Sequence, residues 1–363
     1  MSSNLANGHD ETLSRRPTLA DIAREVGVST ATVSLALSGS PLVAKQTARR
    51  VREAARRQNY RPHAIARRLS TGRSEVMSLF VLGGKQHSSR WLLSSSWMFY
   101  SLILKGLSVT LGQHGYNLQL RILGDEVRGW PSTIVEHAME RGTDGIFLLL
   151  QDRDEHSTLD ELANLSLEVP MVTINCTLAR TVSSVQVSNE QGAGDIVNYW
   201  VSLGHRKIAH IAGPSDSFNA EDRRAGYLAS MGKAGLAVPD GYLVEGDWQM
   251  QSGYQLVQNL MALPVPPTAI VCSNDHMAVG ALEALRGMGI RVPDEVSLVG
   301  FDDTEISSVV TPRLTTVRQP LEEVGIVAAN QVLAWDRDVP SPAQHTVLVP
   351  RLIERESCKR LPG

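Results

Sequence analysis

The sequence predicts a small all-α head over residues 17–73, joined to an α/β core of two parallel-sheet subdomains. Three observations carry this. The head shows apolar residues at helical spacing between good capping residues. The remainder alternates short apolar runs with helical stretches, and that alternation starts twice. Charge divides at the same place: residues 1–73 hold 13 Lys+Arg against 5 Asp+Glu, whereas residues 74–363 hold 22 against 33. A basic head on an acidic body suits a nucleic-acid binder whose bulk does something else.

In the head, Leu19, Ile22, Ala23 and Val26 form one apolar stripe, which Thr18 and Asp21 can cap as an acidic variant of the capping box. Gly27 permits the turn that ends this helix. Ser29 is a good N-cap for a second helix, Thr30 to Leu37, with Val33 and Leu37 as its buried side. Two short helices joined in this way form a helix-turn-helix, whose second helix enters the major groove of DNA. A third helix is expected from Thr47 to Gln58, with Val51, Ala54 and Ala55 inward and Arg49, Arg50, Arg52, Arg56 and Arg57 available to phosphates. Past Asn59-Tyr60-Arg61-Pro62, the segment His63 to Ser70 is too short to be a stable helix alone and can fold when docked.

The core pattern begins with the apolar strand Val76–Leu82, which ends in Gly83-Gly84. A helix over about Phe99 to His114, a strand over Leu118–Ile122, a helix over Ile134–Arg141 and strands over Gly145–Leu150 and Pro170–Ile174 follow. The second round runs through strand Ile208–Gly213, helix Ala220–Ala234, strand Tyr242–Glu245, helix Gly253–Leu260, strand Ala269–Cys272, helix Met277–Met288 and strand Ser297–Gly300. Strands alternating with helices form parallel sheets covered on both faces. Two such units in series enclose a cleft, and ligands of such sheets sit beyond the carboxyl ends of the strands.

Several function classes lack support. Cys176, Cys272 and Cys358 lie far apart with no CxxC spacing, so neither a disulfide framework nor a zinc site is expected. The N-terminus has no apolar run resembling a signal peptide, and Trp91–Leu111 carries five serines, Lys105 and Gly106, so a cytosolic protein without a membrane span is expected. For an enzyme on a Rossmann-like fold, there is no Walker loop, no GxGxxG after a strand and no GxSxG, and no nucleophile–base pair is visible. A solute-binding receptor would need an export signal and no helix-turn-helix. No cofactor or metal is expected.

The segments TLADIAREVGVSTATVS and NYRPHAIARRL, with VSNEQGA, LGHRKIAHIAGP, RRAGYLASM, EGDW, TAIVCSNDHMAVGALEALR and VPDEVSLVGFDDTEISSVVTPRLTTVRQP, resemble the lac-repressor (LacI/GalR) family of bacterial transcription regulators over roughly residues 17–357. The resemblance implies a helix-turn-helix DNA-binding head plus hinge helix and a periplasmic-binding-protein-like core. It also implies three crossings between subdomains, placed near Ser188, Gln319 and Thr346. The domains are then a disordered tail (1–16), the DNA-binding head (17–62), the hinge helix and linker (63–73), one core subdomain (74–187 and 319–345) and the other (188–318 and 346–363).

The resemblance further implies a homodimer on double-stranded operator DNA, with contacts at Thr18, Ser29, Thr30, Ala31, Thr32, Ser34, Leu35, Tyr60, His63, Ala66, Arg67 and Arg68. Leu69 matches the hinge leucine that wedges into the minor groove; such a wedge unstacks a base step and kinks the duplex. Leu35 stands where relatives often carry arginine or histidine. It can meet only a thymine methyl, so direct readout rests mainly on Thr30 and Ala31, with Ser34 a further candidate.

For an effector, expected to be a sugar or polyol, the resemblance marks Phe99, Tyr100, Arg223, Trp248, Asn274 and Asp302, with Asn175 and Gln319 weaker. A guanidinium at Arg223 can fork onto oxygens, and an aromatic face at Trp248 suits the C–H face of a sugar or a purine. Each has a bland alternative: a surface arginine, a core tryptophan, a structural turn at Asn274, a loop-capping carboxylate at Asp302. Nucleobases, sugar phosphates and a protein partner are the other effector classes. Ser188, Asn175, Leu321 and the long Gly83–Trp97 loop depart from the family pattern near the cleft, so effector identity does not carry over from any single relative.

Overall fold

The computed structural model describes residues 17–37, 40–60, 73–82, 97–123, 130–140, 142–150, 169–176, 181–336 and 342–362. The expected tail (1–16) and hinge helix, with His63, Ala66, Arg67, Arg68 and Leu69, lie outside the described residues. The chain divides into two units, Met1–Ser74 and Glu75–Gly363.

The first unit holds α1 (Leu19–Val26), α2 (Thr30–Leu37) and α3 (Lys45–Arg57). Local chemistry sets their ends. The Thr18 backbone N–H and hydroxyl donate to the Asp21 carboxylate at 2.8 and 2.7 Å. Gly27 adopts φ 73° and its N–H closes α1 onto the Ala23 carbonyl, a left-handed position that glycine takes without a Cβ penalty. The Ser29 hydroxyl accepts the Thr32 N–H at 3.1 Å and so caps α2. Ile22, Ala23, Val26, Val33, Ala36, Val51, Ala54 and Ala55 form the small core. Ala36 takes the fully buried place expected of Leu37, which is only partly covered.

The second unit contains two parallel sheets. One runs in the order β11-β5-β4-β3-β1-β2, where β1 is Val76–Leu82, β2 Asn117–Leu123, β3 Gly145–Leu150, β4 Met171–Ile174, β5 Ser183–Val187 and β11 His345–Leu348. The other runs β7-β6-β8-β9, where β6 is Ile208–Ala212, β7 Leu243–Glu245, β8 Ala269–Cys272 and β9 Ser297–Val299. The first sheet is covered by α4 (Trp97–Gln113) and α11 (Leu321–Leu333) on one face and by α5 (Trp130–Met139) on the other. Around the second sheet pack α6 (Asn189–Ser202), α7 (Phe218–Lys233), α8 (Met250–Met261), α9 (Asp275–Gly287) and the short α10 (Glu305–Val309). Every residue of β3 and of β6 is buried, as strands covered on both faces require. Helices α8 and α9 approach so closely that a Cβ on Gly280 would run into the Met250 carbonyl.

A two-stranded antiparallel ribbon, β10 (Thr316–Arg318) with β12 (Arg351–Ile353), stands where the chain crosses between sheets. The third crossing lies later than the sequence suggests. Thr346, Val347 and Leu348 pair with Val185, Gln186 and Val187 of the first sheet, so the chain leaves that sheet after Leu348 rather than near Thr346. The strand pairs from His345 to Leu348, and Pro350, which could not donate a ladder hydrogen bond, stands just beyond its end. No helix of the described residues is long and apolar enough to cross a membrane.

Candidate functional site

Two surfaces concentrate the residues marked by the sequence. On α2, Thr30, Ala31 and Leu35 are exposed and Ser34 is half-buried, while Val33 and Ala36 face the head core. Ser29 and Thr32 share a hydroxyl–hydroxyl bond of 2.9 Å, so both are partly engaged in holding the helix start. Tyr60 packs against the head core, and burial raises its phenol above the usual range.

The α3 arginines divide. Arg50 donates to the Val26 carbonyl at 2.9 Å, Arg57 pairs with Glu25 at 2.6 Å and Arg49 with Glu53 at 2.9 Å. Arg50 therefore caps the C-terminal end of α1, where orphan carbonyls need donors, rather than serving only as a phosphate ligand.

In the core, the carboxyl ends of the second sheet converge on Arg223, a residue of α7 that is 2% exposed. Its Nε donates to Asn189 Oδ1 at 2.8 Å, and one terminal nitrogen donates to the Ser273 carbonyl. The other faces Asp302 Oδ1 at 3.4 Å. The guanidinium lies 3.8 Å over the Phe301 ring and 5.6 Å from that of Trp248, and cations favour such faces. Asp302 sits at φ 111°, and its carboxylate accepts from Gln319 Nε2 at 2.7 Å. Asp302 and Gln319 thus join the β9 end to the segment that follows β10. Tyr100 on α4, from the other subdomain, is close enough to act electrostatically on Arg223.

Beneath this pair lies a second carboxylate. Asp275, fully buried at the start of α9, accepts from Thr304 N and Oγ1 at 2.6 and 2.9 Å and from Thr316 Oγ1 at 2.6 Å. Burial raises both acids above the usual carboxylate range; Arg223 pulls Asp302 back down, and Asp302 pushes Asp275 further up.

Other marked residues are placed differently. Asn274 caps α9 by accepting the Met277 N–H at 2.8 Å, while its Nδ2 donates to the Trp248 carbonyl at 2.9 Å. Its side chain therefore shapes the site instead of facing an empty space. Trp248 adopts φ 70° and its ring covers Gly213, where any Cβ would collide with it. Asn175, at φ 75°, keeps a buried Nδ2 without a hydrogen-bond partner. The Phe99 side chain lies outside the described residues. Sequence reasoning did not single out Asn189, Ser273 or Phe301; Asn189 and Phe301 stand inside the segments VSNEQGA and VGFDDTE, which was the available signal.

His210 is a further buried titratable group of this layer. Its Nε2 lies 2.8 Å from Ser273 Oγ, and burial, then Arg223, then Arg224, push it down to about 3. The unfolded chain takes up this proton first, so the imidazole's contribution to stability is complete above about pH 6.5 and is lost as pH falls towards 3. Asp275 and Asp302, both raised, act in the opposite sense, since the folded state holds their protons longer. Comparison with His210→Phe cancels that shared contribution. The difference in unfolding free energy between the two proteins should change by about 1.4 kcal/mol per pH unit between about pH 6 and 4. A difference independent of pH would contradict a neutral buried imidazole.

Comparison with known proteins decides the family. Residues 18–63 match the bacterial regulatory proteins of the lacI family, and residues 197–358 match the periplasmic binding protein-like domain. A probable HTH-type transcriptional repressor, ExuR of Bacillus subtilis (strain 168), is 32% identical over 348 residues, covering 95% of this chain and 99% of its own. The chain belongs to the LacI family. The ribose operon repressor of Escherichia coli (strain K12) is likewise 32% identical, over 94% of this chain and 99% of its own. The lac repressor dimer bound to operator and the anti-inducer ONPF superposes with a TM-score of 0.80 at 26% identity, covering 95% of this chain and 100% of that one. As a LacI-family member the protein is a transcription regulator, not an enzyme, with a DNA-binding head and an effector-binding core.

Proposed function

We propose that this LacI-family protein is a repressor that binds a near-palindromic operator as a homodimer and responds to a neutral sugar or polyol held at Arg223, Asp302, Gln319 and Trp248. The observation that carries the effector class is the buried Arg223–Asp302 pair, whose guanidinium lies near the rings of Phe301 and Trp248. A hydroxyl can accept from the guanidinium while donating to the carboxylate, and a sugar's C–H face suits tryptophan. A phosphorylated or carboxylated effector would bring negative charge beside Asp302, which already supplies the countercharge of Arg223, and that disfavours it. Two similar proteins, a ribose operon repressor and a regulator in complex with cellobiose, support a carbohydrate.

Dimerisation is supported by apolar surface the monomer leaves uncovered. In the first subdomain Leu102 and Val109 on α4 are exposed, Val109 at 53%. In the other subdomain Met250 and Tyr254 on α8 and Val309 on α10 are exposed. A twofold dimer places two recognition helices in successive major grooves, in the bacterial cytoplasm where the operator is. Effector in the cleft then alters the angle between subdomains and with it the hinge pair that presents Leu69. Leu69→Ala should weaken specific operator binding by about 1–2 kcal/mol while leaving non-specific binding nearly unchanged. Equal loss on both DNAs, in parallel titrations, would remove the wedge from the account.

The effector reading is tested by thermal unfolding against sugars, polyols, sugar phosphates and purines, with Trp248→Ala alongside. A cognate carbohydrate at about 100 times its Kd should add roughly 2.7 kcal/mol to the parent and far less to the variant. A stabilising phosphate ester or purine, or equal stabilisation of both proteins, would overturn the neutral-carbohydrate assignment.

A further inference from the structure

Most of the 16-residue helix α7 serves the second sheet, yet its first residue belongs elsewhere. Phe218 is 8% exposed and packs in a cluster otherwise built wholly by the other subdomain. Among its cluster partners are Leu82, Leu123 and Leu150, the last residues of β1, β2 and β3, and Cys176, just past β4. Its seat is therefore the carboxyl end of the first sheet, across the cleft from Arg223. The sequence around it, Ser215-Asp216-Ser217-Phe218-Asn219-Ala220-Glu221, is polar apart from Phe218 and Ala220, so no local packing accounts for an aromatic ring there.

The same helix carries the connection to the effector-site candidates. Asn219, next to Phe218, accepts from Asn189 Nδ2 at 3.0 Å, and Asn189 in turn accepts from Arg223 Nε at 2.8 Å. Any rotation of the subdomains that lifts Phe218 from its seat moves Asn219 and Arg223 with it, because all three ride on one helix.

We propose that Phe218 is a cleft latch: its ring, seated on the carboxyl end of the first sheet, holds the two core subdomains closed and ties that closure to the position of Arg223. Opening the cleft exposes the ring and its seat to water, an apolar cost that disfavours the open form. Removing the ring shifts the closed-to-open ratio by about ten- to a hundredfold. Closure is thus partly built into the chain, and an effector needs only the remaining differential affinity to switch the regulator. This holds whatever the effector is, and its test uses none.

Cys176 belongs to the same apolar cluster as Phe218 and is 4% exposed, whereas Cys272 is fully buried in the second subdomain. Both can be followed separately by iodoacetamide labelling located by peptide mass in the full-length protein. In Phe218→Ala the labelling rate of Cys176 is expected to rise about tenfold or more, while Cys272 stays protected. Phe218→Leu keeps a smaller apolar group in the seat and should give a rise of about two- to fivefold; it serves alone if alanine costs the fold, which labelling of Cys272 would reveal. A Cys176 rate equal to the parent's, in alanine with Cys272 protected or in leucine, overturns the latch.

Discussion

Replacing Arg223 by leucine is expected to lower the unfolding free energy by about 3–5 kcal/mol at pH 7, and adding Asp302→Asn to the same chain is expected to restore the part that comes from the unpaired charge, while the lost bonds to Asn189 and the Ser273 carbonyl remain unmade. Arg223 and Asp302 are both buried, and each is the other's countercharge. Removing one partner leaves a buried carboxylate with Gln319 as its remaining side-chain donor. An uncompensated buried charge is costly, whereas removing both charges of a pair is often nearly neutral. Urea unfolding measures the pattern. The single-variant loss should also shrink as pH falls, since Asp302 without its arginine titrates higher still and the folded state then binds the proton more readily than the unfolded one. Additive losses in the double variant would show that the two residues do not act as a pair.

Asp302→Asn alone is expected to weaken binding of the cognate carbohydrate by about ten- to a hundredfold, the value of a hydrogen bond to a charged acceptor. The amide preserves the side chain's shape but substitutes a neutral oxygen and a donor for one carboxylate oxygen each. Operator affinity in the absence of carbohydrate should change little, because DNA contacts belong to the head, a separate unit of the chain. Calorimetric titration of parent and variant gives the first quantity directly.

What could be read from the sequence, and what could not, follows from how local each interaction is. Thr18, Asp21, Gly27 and Ser29 act within four residues of themselves, so the two helices of the head and the turn between them could be placed from the chain alone. Strands β1, β3, β6 and β8 announce themselves as continuous apolar runs because both faces are covered. By contrast β10 and β12 are three residues long and pair with each other across 35 positions, at Val317 and Leu352. His345–Leu348 is half exposed and joins β5 from 161 positions away, which is why the last crossing was expected too early.

The site shows the same division. Arg223, Trp248 and Asp302 stand in recognisable segments, whereas the role of Asn189 depends on α6 meeting α7, and the tie from Asn274 to the Trp248 carbonyl joins segments 26 positions apart. Phe218 gives no sign of its seat in the sequence, because that seat is made by the other subdomain.

The central claim is that a molecule bound at Arg223 and Asp302 changes the affinity of this regulator for its operator. A fluorescence-anisotropy titration tests it most directly, using a near-palindromic duplex selected from a random library. Operator Kd is measured for the parent and for Asp302→Asn, each with and without the cognate carbohydrate at about ten times the parent's Kd for it. The account predicts a shift of about tenfold or more in the parent and less than about twofold in the variant. An equal shift in both proteins would place the effector elsewhere, and no shift in the parent would separate this cleft from control of the operator.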